Sequence, residues 1–191
     1  MADPGGPKKR ATYEDLLAVP EHLIAEILDG ELVTSPRPAY PHAFTTGEVF
    51  GDLRGSFGRG PGGGAPGGWW ILFEPELHLG DDVLVPDLAG WRVSRMPKVP
   101  NVAACDLVPD WACEVVSPSS ARQDRVRKMR IYAREGLANL WLVDPLARTL
   151  EIYRLEAGQW LLRASHGGDE RARCEPFEAL ELELARWWVE V

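Results

Sequence analysis

Apolar residues along this chain come in short runs broken by turn residues, the pattern of a sheet-rich fold carrying a few helices. Leu23 to Leu28 is followed by Asp29-Gly30 and then by Leu32-Val33. An Asp-Gly pair between apolar stretches favours a two-residue hairpin turn, whose central positions need positive φ. A helix through Leu28 competes, because Leu23/Ile27 and Ile24/Leu28 are also four apart. The hairpin is the reading adopted. Upstream, Thr12 is placed to cap a short helix through Leu16 and Leu17, with Asp15 closing a capping box and Pro20 interrupting the segment.

His42 to Leu53 reads as a helix with Ala43, Val49, Phe50 and Leu53 inward. Strands are expected at Trp69–Phe73, Glu76–Leu79 and Val83–Val93, the last two separated by a Gly80-Asp81-Asp82 turn. Trp111 to Val116 is a nearly continuous apolar run, as in a strand buried on both faces. Ser119 to Glu135 is expected to be helical and to stop at Gly136, with Val126, Met129 and Ala133 on the core face. Asn139 to Val143 follows as a strand, so strand, helix and strand form a right-handed βαβ unit with parallel strands. Leu150–Leu155 and Trp160–Ala164 form another hairpin. Phe177 to Val191 is amphipathic, with Trp187 and Trp188 expected to cover an edge of the core.

A length of 191 residues suits one domain over 12–191, preceded by a flexible polar tail at 1–11. Residues 55–68 are rich in Gly and Pro and are expected to be a mobile loop. Its Gly58-x-Gly60-x-x-Gly63 spacing lacks the flanking strand and helix that a phosphate cradle requires. No window spans a membrane and no signal peptide is evident, so a cytoplasmic protein is expected. Cys105, Cys113 and Cys174 are odd in number and scattered, and no histidine pair has zinc-ligand spacing. The net charge of −8 argues against a general nucleic-acid coat protein.

Glu114 is the residue that composition does not explain. It lies inside Trp111–Val116, and a buried carboxylate is costly unless paired or bound to a cation. An ion pair with Arg92 is one solution and a metal ion another. Asp87, after Val85-Pro86, could equally be a turn aspartate, and Glu26 could be an edge-strand residue facing water. Lys128 lies roughly 160° around the helix from Val126 at 100° per residue. It shares that face with Asp124, Ile131 and Glu135, where a solvated Asp124–Lys128 pair is the plain alternative. Arg122, Arg125 and Arg127 belong to a locally basic stretch that could border a phosphate backbone or simply pair with acids elsewhere. Glu74, Glu76, Asp81 and Asp82 read as turn and surface acids. Ser117 and Ser119 lack the histidine-acid partners of a nucleophile.

An ordered set of segments carries a resemblance. It consists of Glu26-Ile27-Leu28-Asp29-Gly30-Glu31-Leu32, Ser35-Pro36, His42, Val85-Pro86-Asp87, Glu114-Val115-Val116-Ser117-Pro118-Ser119, Asp124, Lys128, Tyr132-Ala133-Arg134-Glu135-Gly136 and Leu140-Trp141-Leu142-Val143-Asp144-Pro145. Together they resemble the Uma family of bacterial restriction endonucleases in the PD-(D/E)XK nuclease superfamily. The resemblance implies an α/β (α+β) restriction-endonuclease-like core, a mixed central β-sheet flanked by helices. It implies Asp87 and Glu114 as ligands of Mg²⁺ or Mn²⁺, Glu26 as a third acid, and Lys128 as the catalytic lysine. The superfamily lysine stands two residues after the acid, where this chain has Val116, so Lys128 of the following helix takes its place. DNA is the implied substrate, with Arg122, Arg125 and Arg127 as contacts and a homodimer as the expected assembly. A catalytically silent nuclease-fold binding module is the alternative, and an unrelated small-ligand protein a further one.

Overall fold

A computed structural model of the chain describes residues 9–58 and 67–190. Helix α1 (Tyr13–Leu17) opens with the expected capping box: Thr12 Oγ1 accepts from the Asp15 amide and Asp15 Oδ2 from the Thr12 amide. Strands β1 (Leu23–Leu28) and β2 (Glu31–Pro36) are antiparallel, joined at Asp29 and Gly30, whose φ values are 52° and 80°. The hairpin therefore prevails over the helix. Helix α2 (Tyr40–Phe57) is longer than the sequence suggests, and its Val49, Leu53 and Phe57 are buried at four-residue spacing. It absorbs residues 55–57 of the expected mobile loop. Residues 59–66 of that loop lie outside the described residues, as do residues 1–8 of the expected tail.

The chain continues through β3 (Trp69–Phe73) and β4 (Glu76–Leu79). The single strand expected over Val83–Val93 is instead two, β5 (Asp82–Leu84) and β6 (Leu88–Arg92), and they belong to different sheets. Pro86 has no N–H to give to a ladder, so the chain leaves one sheet and enters the other across Val85-Pro86-Asp87. After β7 (Ala104–Cys105) and β8 (Trp111–Val115), the helical segment begins later than expected. It starts at Ala121, passes after one α-helical step into a π-helical stretch, Gln123–Lys128, runs into α3 (Met129–Glu135) and ends at Gly136 with φ 82°. Strands β9 (Asn139–Asp144), β10 (Thr149–Glu156) and β11 (Gln159–Gly167) follow, then the short pair β12 (Arg171–Ala172) and β13 (Leu182–Glu183) and a 3₁₀ turn at Leu184–Trp187.

The described strands form a five-stranded sheet, β2-β1-β5-β4-β7, a six-stranded sheet, β11-β10-β9-β8-β6-β3, and the β12-β13 pair. β8 and β9 are parallel, as the βαβ pattern requires, whereas β6 and β8 are antiparallel. The fold is mixed α/β, with mixed sheets flanked by helices.

The period-2 alternation of β8 and β9 divides the interior. Trp111, Cys113, Val115, Trp141 and Val143 point into a core shared with α2, Phe177 and Trp187. Ala112, Val116, Leu140 and Leu142 point the other way, into a core shared with Leu28, Leu84, Trp91, Ile131 and Tyr132. Trp187 lies fully inside the first core rather than at its edge, and its indole N–H donates to Asp52. The segment from Phe177 is turns, β13 and the 3₁₀ turn, not a continuous amphipathic element. Among the described residues, no helix is long and apolar enough to cross a membrane.

Candidate active site

Strand alternation aims Glu114 at the α3 side of the sheet, between Ala112 and Val116. In the β6–β8 register, Leu88 faces Cys113 and Ala89 faces Ala112; one step further brings Asp87 level with Glu114. Glu26 shares a face of β1 with Leu28, so it also points toward α3. The helix after β8 returns over this side and delivers Lys128. Four separate segments thus converge on one pocket of about 340 Å³, lined by Glu26, His42, Asp87, Glu114, Asp124 and Lys128 among others.

Lys128 is the centre of the cluster. Its Nζ lies 3.0 Å from Glu114 Oε2, 3.0 Å from Glu26 Oε1 and 3.7 Å from Asp124 Oδ1. Glu114 Oε1 accepts a 2.6 Å hydrogen bond from the Tyr132 hydroxyl. Glu26 accepts from the Val85 amide at 2.8 Å and from Gln123 Nε2 at 2.8 Å. Asp87 Oδ2 accepts from the Val115 amide at 2.7 Å, and its Oδ1 lies 3.2 Å from His42 Nε2. Glu26, Asp87 and Glu114 are therefore each aimed by at least one donor that is independent of Lys128.

The charges do not balance locally. Burial pushes the Glu114 carboxyl up; Lys128 pulls it down, but Asp124, Asp87 and Glu26 push it up again, and it ends well above the usual carboxylate range. Burial, offset by Lys128, raises Asp124 as well. Lys128 is opposed by burial, yet Glu114, Glu26 and Asp124 outweigh that and hold it protonated well above the lysine range. His42 is likewise opposed by burial and raised by its hydrogen bond to Asp87. One ammonium serves three carboxylates, with a fourth alongside.

Among the described residues, no three acid, histidine or cysteine side chains are already spaced as a metal cage. The donor chemistry nonetheless fits a hard divalent cation: oxygen ligands only, an excess of negative charge, and an adjoining cavity. Asp87 and Glu114, with Glu26 beside them, are the residues that would hold it.

All four predicted acid and lysine positions come together here. Arg92 does not partner Glu114; its guanidinium stacks over the Trp69 ring at 4.5 Å. Val116, at the usual lysine position, is buried in the α3-side core. The three arginines separate. Arg125 is tied to Glu151 at 2.5 Å, and Arg127 bonds Leu28 O and pairs with Glu31 at 3.2 Å. Arg122 is exposed and makes no ion pair among the described residues. Asp82, expected to be a surface acid, is buried and accepts from the Asp29 amide and from Arg134. His42, Gln123, Asp124 and Tyr132 were not expected in the site. The signal for Tyr132 was available, since it follows Lys128 by four residues.

The chain matches the family model Uma2, described as "Putative restriction endonuclease", over residues 10–185. Among curated proteins, none matches it. Its structure is similar to the crystal structure of "a putative nuclease belonging to DUF820" from Anabaena variabilis, with TM-score 0.73 and 22% sequence identity. That match covers 93% of this chain and 97% of the other. At that identity the likeness bears on the fold.

Proposed function

We propose that this chain, which belongs to the Uma2 family, is a metal-dependent endonuclease hydrolysing phosphodiester bonds of DNA. Nuclease function in general is supported by the family and by the nuclease-fold neighbour. The observation that carries the finer reading is the convergence of Glu26, Asp87, Glu114 and Lys128 from four segments into one pocket.

A bound Mg²⁺ or Mn²⁺ would polarise the scissile phosphate and lower the pKa of an attacking water. The chain's own residues supply positioning and charge. The Val115 amide and His42 hold Asp87, and Tyr132 holds Glu114, so both ligand carboxylates are fixed in direction. Lys128 remains protonated and sets a positive charge beside the place where negative charge builds on the phosphoryl oxygens. Gln123 and the Val85 amide keep Glu26 beside that amine. Cutting both strands of a duplex is simplest with two copies of the site, and a homodimer at micromolar concentration is part of the proposal.

Supercoiled plasmid incubated with Mn²⁺ should be nicked, and EDTA should stop the reaction. Glu114→Gln and Asp87→Asn should each lower the rate by at least about a hundredfold. Equal nicking by wild type and both variants identifies a contaminating nuclease and removes the proposal.

A further inference from the structure

The acid pocket opens onto a second, larger depression of about 1300 Å³, and the two share Ser119 and Gln123 in their walls. Five cations line the larger one: Lys9, Arg10, Arg122, Arg127 and Arg130. Three acids line it as well, Asp15, Asp29 and Glu31, of which Asp29 pairs with Arg130 at 2.6 Å and Glu31 with Arg127 at 3.2 Å. In a chain of net charge −8, a concavity with more cations than acids is a local reversal of the overall field.

Two features make this surface available to a ligand. Arg122 is exposed and has no ion-pair partner among the described residues. The side chains of Arg10 and Arg130 are 65% and 64% exposed, and their pairs with Asp81 and Asp29 are surface pairs, which contribute little and exchange readily. One helical segment serves both cavities. Gln123, Asp124 and Lys128 reach the acid pocket, while Arg122, Val126, Arg127 and Arg130 line the basic groove.

We infer that this groove carries the nucleic-acid backbone on one side of the cut site, with Arg122, Arg130 and Arg10 as its phosphate contacts. The inference rests on the proposed nuclease reading and adds the path of the strand. Phosphates held at Arg122 and Arg130 lie on a surface that leads past Gln123 directly to Glu26, which accepts from Gln123. The acids of the pocket repel a phosphodiester on their own, and the groove supplies the attraction that brings it there. Arg125 has no part in this, because it lies outside the groove and is bonded to Glu151.

The test is fluorescence anisotropy of the full chain in EDTA with a short labelled duplex and its single strand, over a salt series. The double variant Arg122→Ala/Arg130→Ala should bind at least one of them about tenfold more weakly, with a salt slope smaller by about two. Arg122→Lys/Arg130→Lys should restore most of the binding. Arg163→Ala/Arg171→Ala, on β11 and β12, should bind as wild type. A circular dichroism melt close to wild type shows that the groove variants are folded. Unchanged binding by the alanine pair, or no binding by wild type, overturns the inference. Groove-dependent binding without nicking in Mn²⁺ leaves the groove standing and removes the hydrolase proposal. Nicking with unchanged binding by the alanine pair does the reverse.

Discussion

At the scale of single residues, the site is organised by the cost of burying charge. Glu114 stood out in the sequence because a carboxylate inside Trp111–Val116 needs a counter-charge, and Lys128 provides one at 3.0 Å. A solvated Asp124 stayed open as the alternative because its spacing from Lys128 is the same in a surface pair and a buried one. Only the neighbouring Ile131 hinted that this face turns inward. His42 belongs to the resemblance, yet nothing local to Tyr40-Pro41-His42 says that Asp87 lies 3.2 Å away. Removing the amine should expose the imbalance. Lys128→Met is expected to lose about 3–5 kcal/mol of stability in metal-free buffer at neutral pH, because Glu114, Glu26 and Asp124 then lack their shared cation. The pH dependence has a definite sign. A carboxyl whose folded pKa is raised binds its proton more tightly when folded, so its cost is absent below the ordinary value near 4.5 and grows as pH rises from there until it passes the raised one. The deficit of Lys128→Met should therefore shrink as pH falls toward 4.5. Urea denaturation of both proteins across that range measures it, and a deficit independent of pH would contradict the account.

At the scale of elements, most of the fold was readable because its signals are local. Asp29-Gly30 announces a hairpin, Thr12 and Asp15 a capping box, and Gly136 a helix stop with the positive φ that position takes. The misreadings came where tertiary structure overrides local pattern. Apolar residues on both sides of Pro86 look like one strand, yet they serve two sheets. The helical angles used for Lys128 assumed an α-helix from the start. The Gln123–Lys128 stretch is π-helical, with Met129 N–H reaching Asp124 O, five residues back. Val126, expected inward, is 55% exposed, while Asp124, Lys128, Ile131 and Tyr132 are buried. Along this wider turn Gln123, Asp124 and Lys128 line the pocket, while α3 keeps Ile131 and Tyr132 in the core. Deleting the exposed Val126 should restore an α-helical pitch and turn Asp124 by roughly 30° relative to Lys128, a displacement of about an ångström or more at the side chains, enough to cost about a hundredfold in rate. The far-UV circular dichroism should stay near wild type, while plasmid nicking falls by about a hundredfold or more. A deletion variant that cuts at the wild-type rate would show that the π-helical turn has no part in building the site.

At the scale of the whole molecule, charge is arranged as a contrast. A chain of net charge −8 concentrates four carboxylates around one lysine in a pocket and lines the adjoining groove with five cations. The pocket is preformed, since strands β1 and β8, the β5–β6 link and the π-helical turn each fix one member. A divalent cation bound there meets ligands already aimed by amide and hydroxyl donors, and the unfolded chain offers no such site. Binding to the folded state alone raises stability by RT ln(1 + [L]/Kd), about 2.7 kcal/mol at a hundredfold excess over Kd. For a domain of this length that corresponds to roughly 5–10 °C in Tm. Mn²⁺ or Mg²⁺ should therefore shift the melting curve upward in a saturable way, whereas K⁺ at matched ionic strength should not. The shift should vanish in Asp87→Asn/Glu114→Gln and survive in Arg122→Ala/Arg130→Ala, because the groove arginines repel a cation. A shift that persists without the two carboxylates would place the ion elsewhere and leave the pocket as an ion-paired core feature. A shift lost only on removing them locates the metal where the strand acids and Lys128 meet.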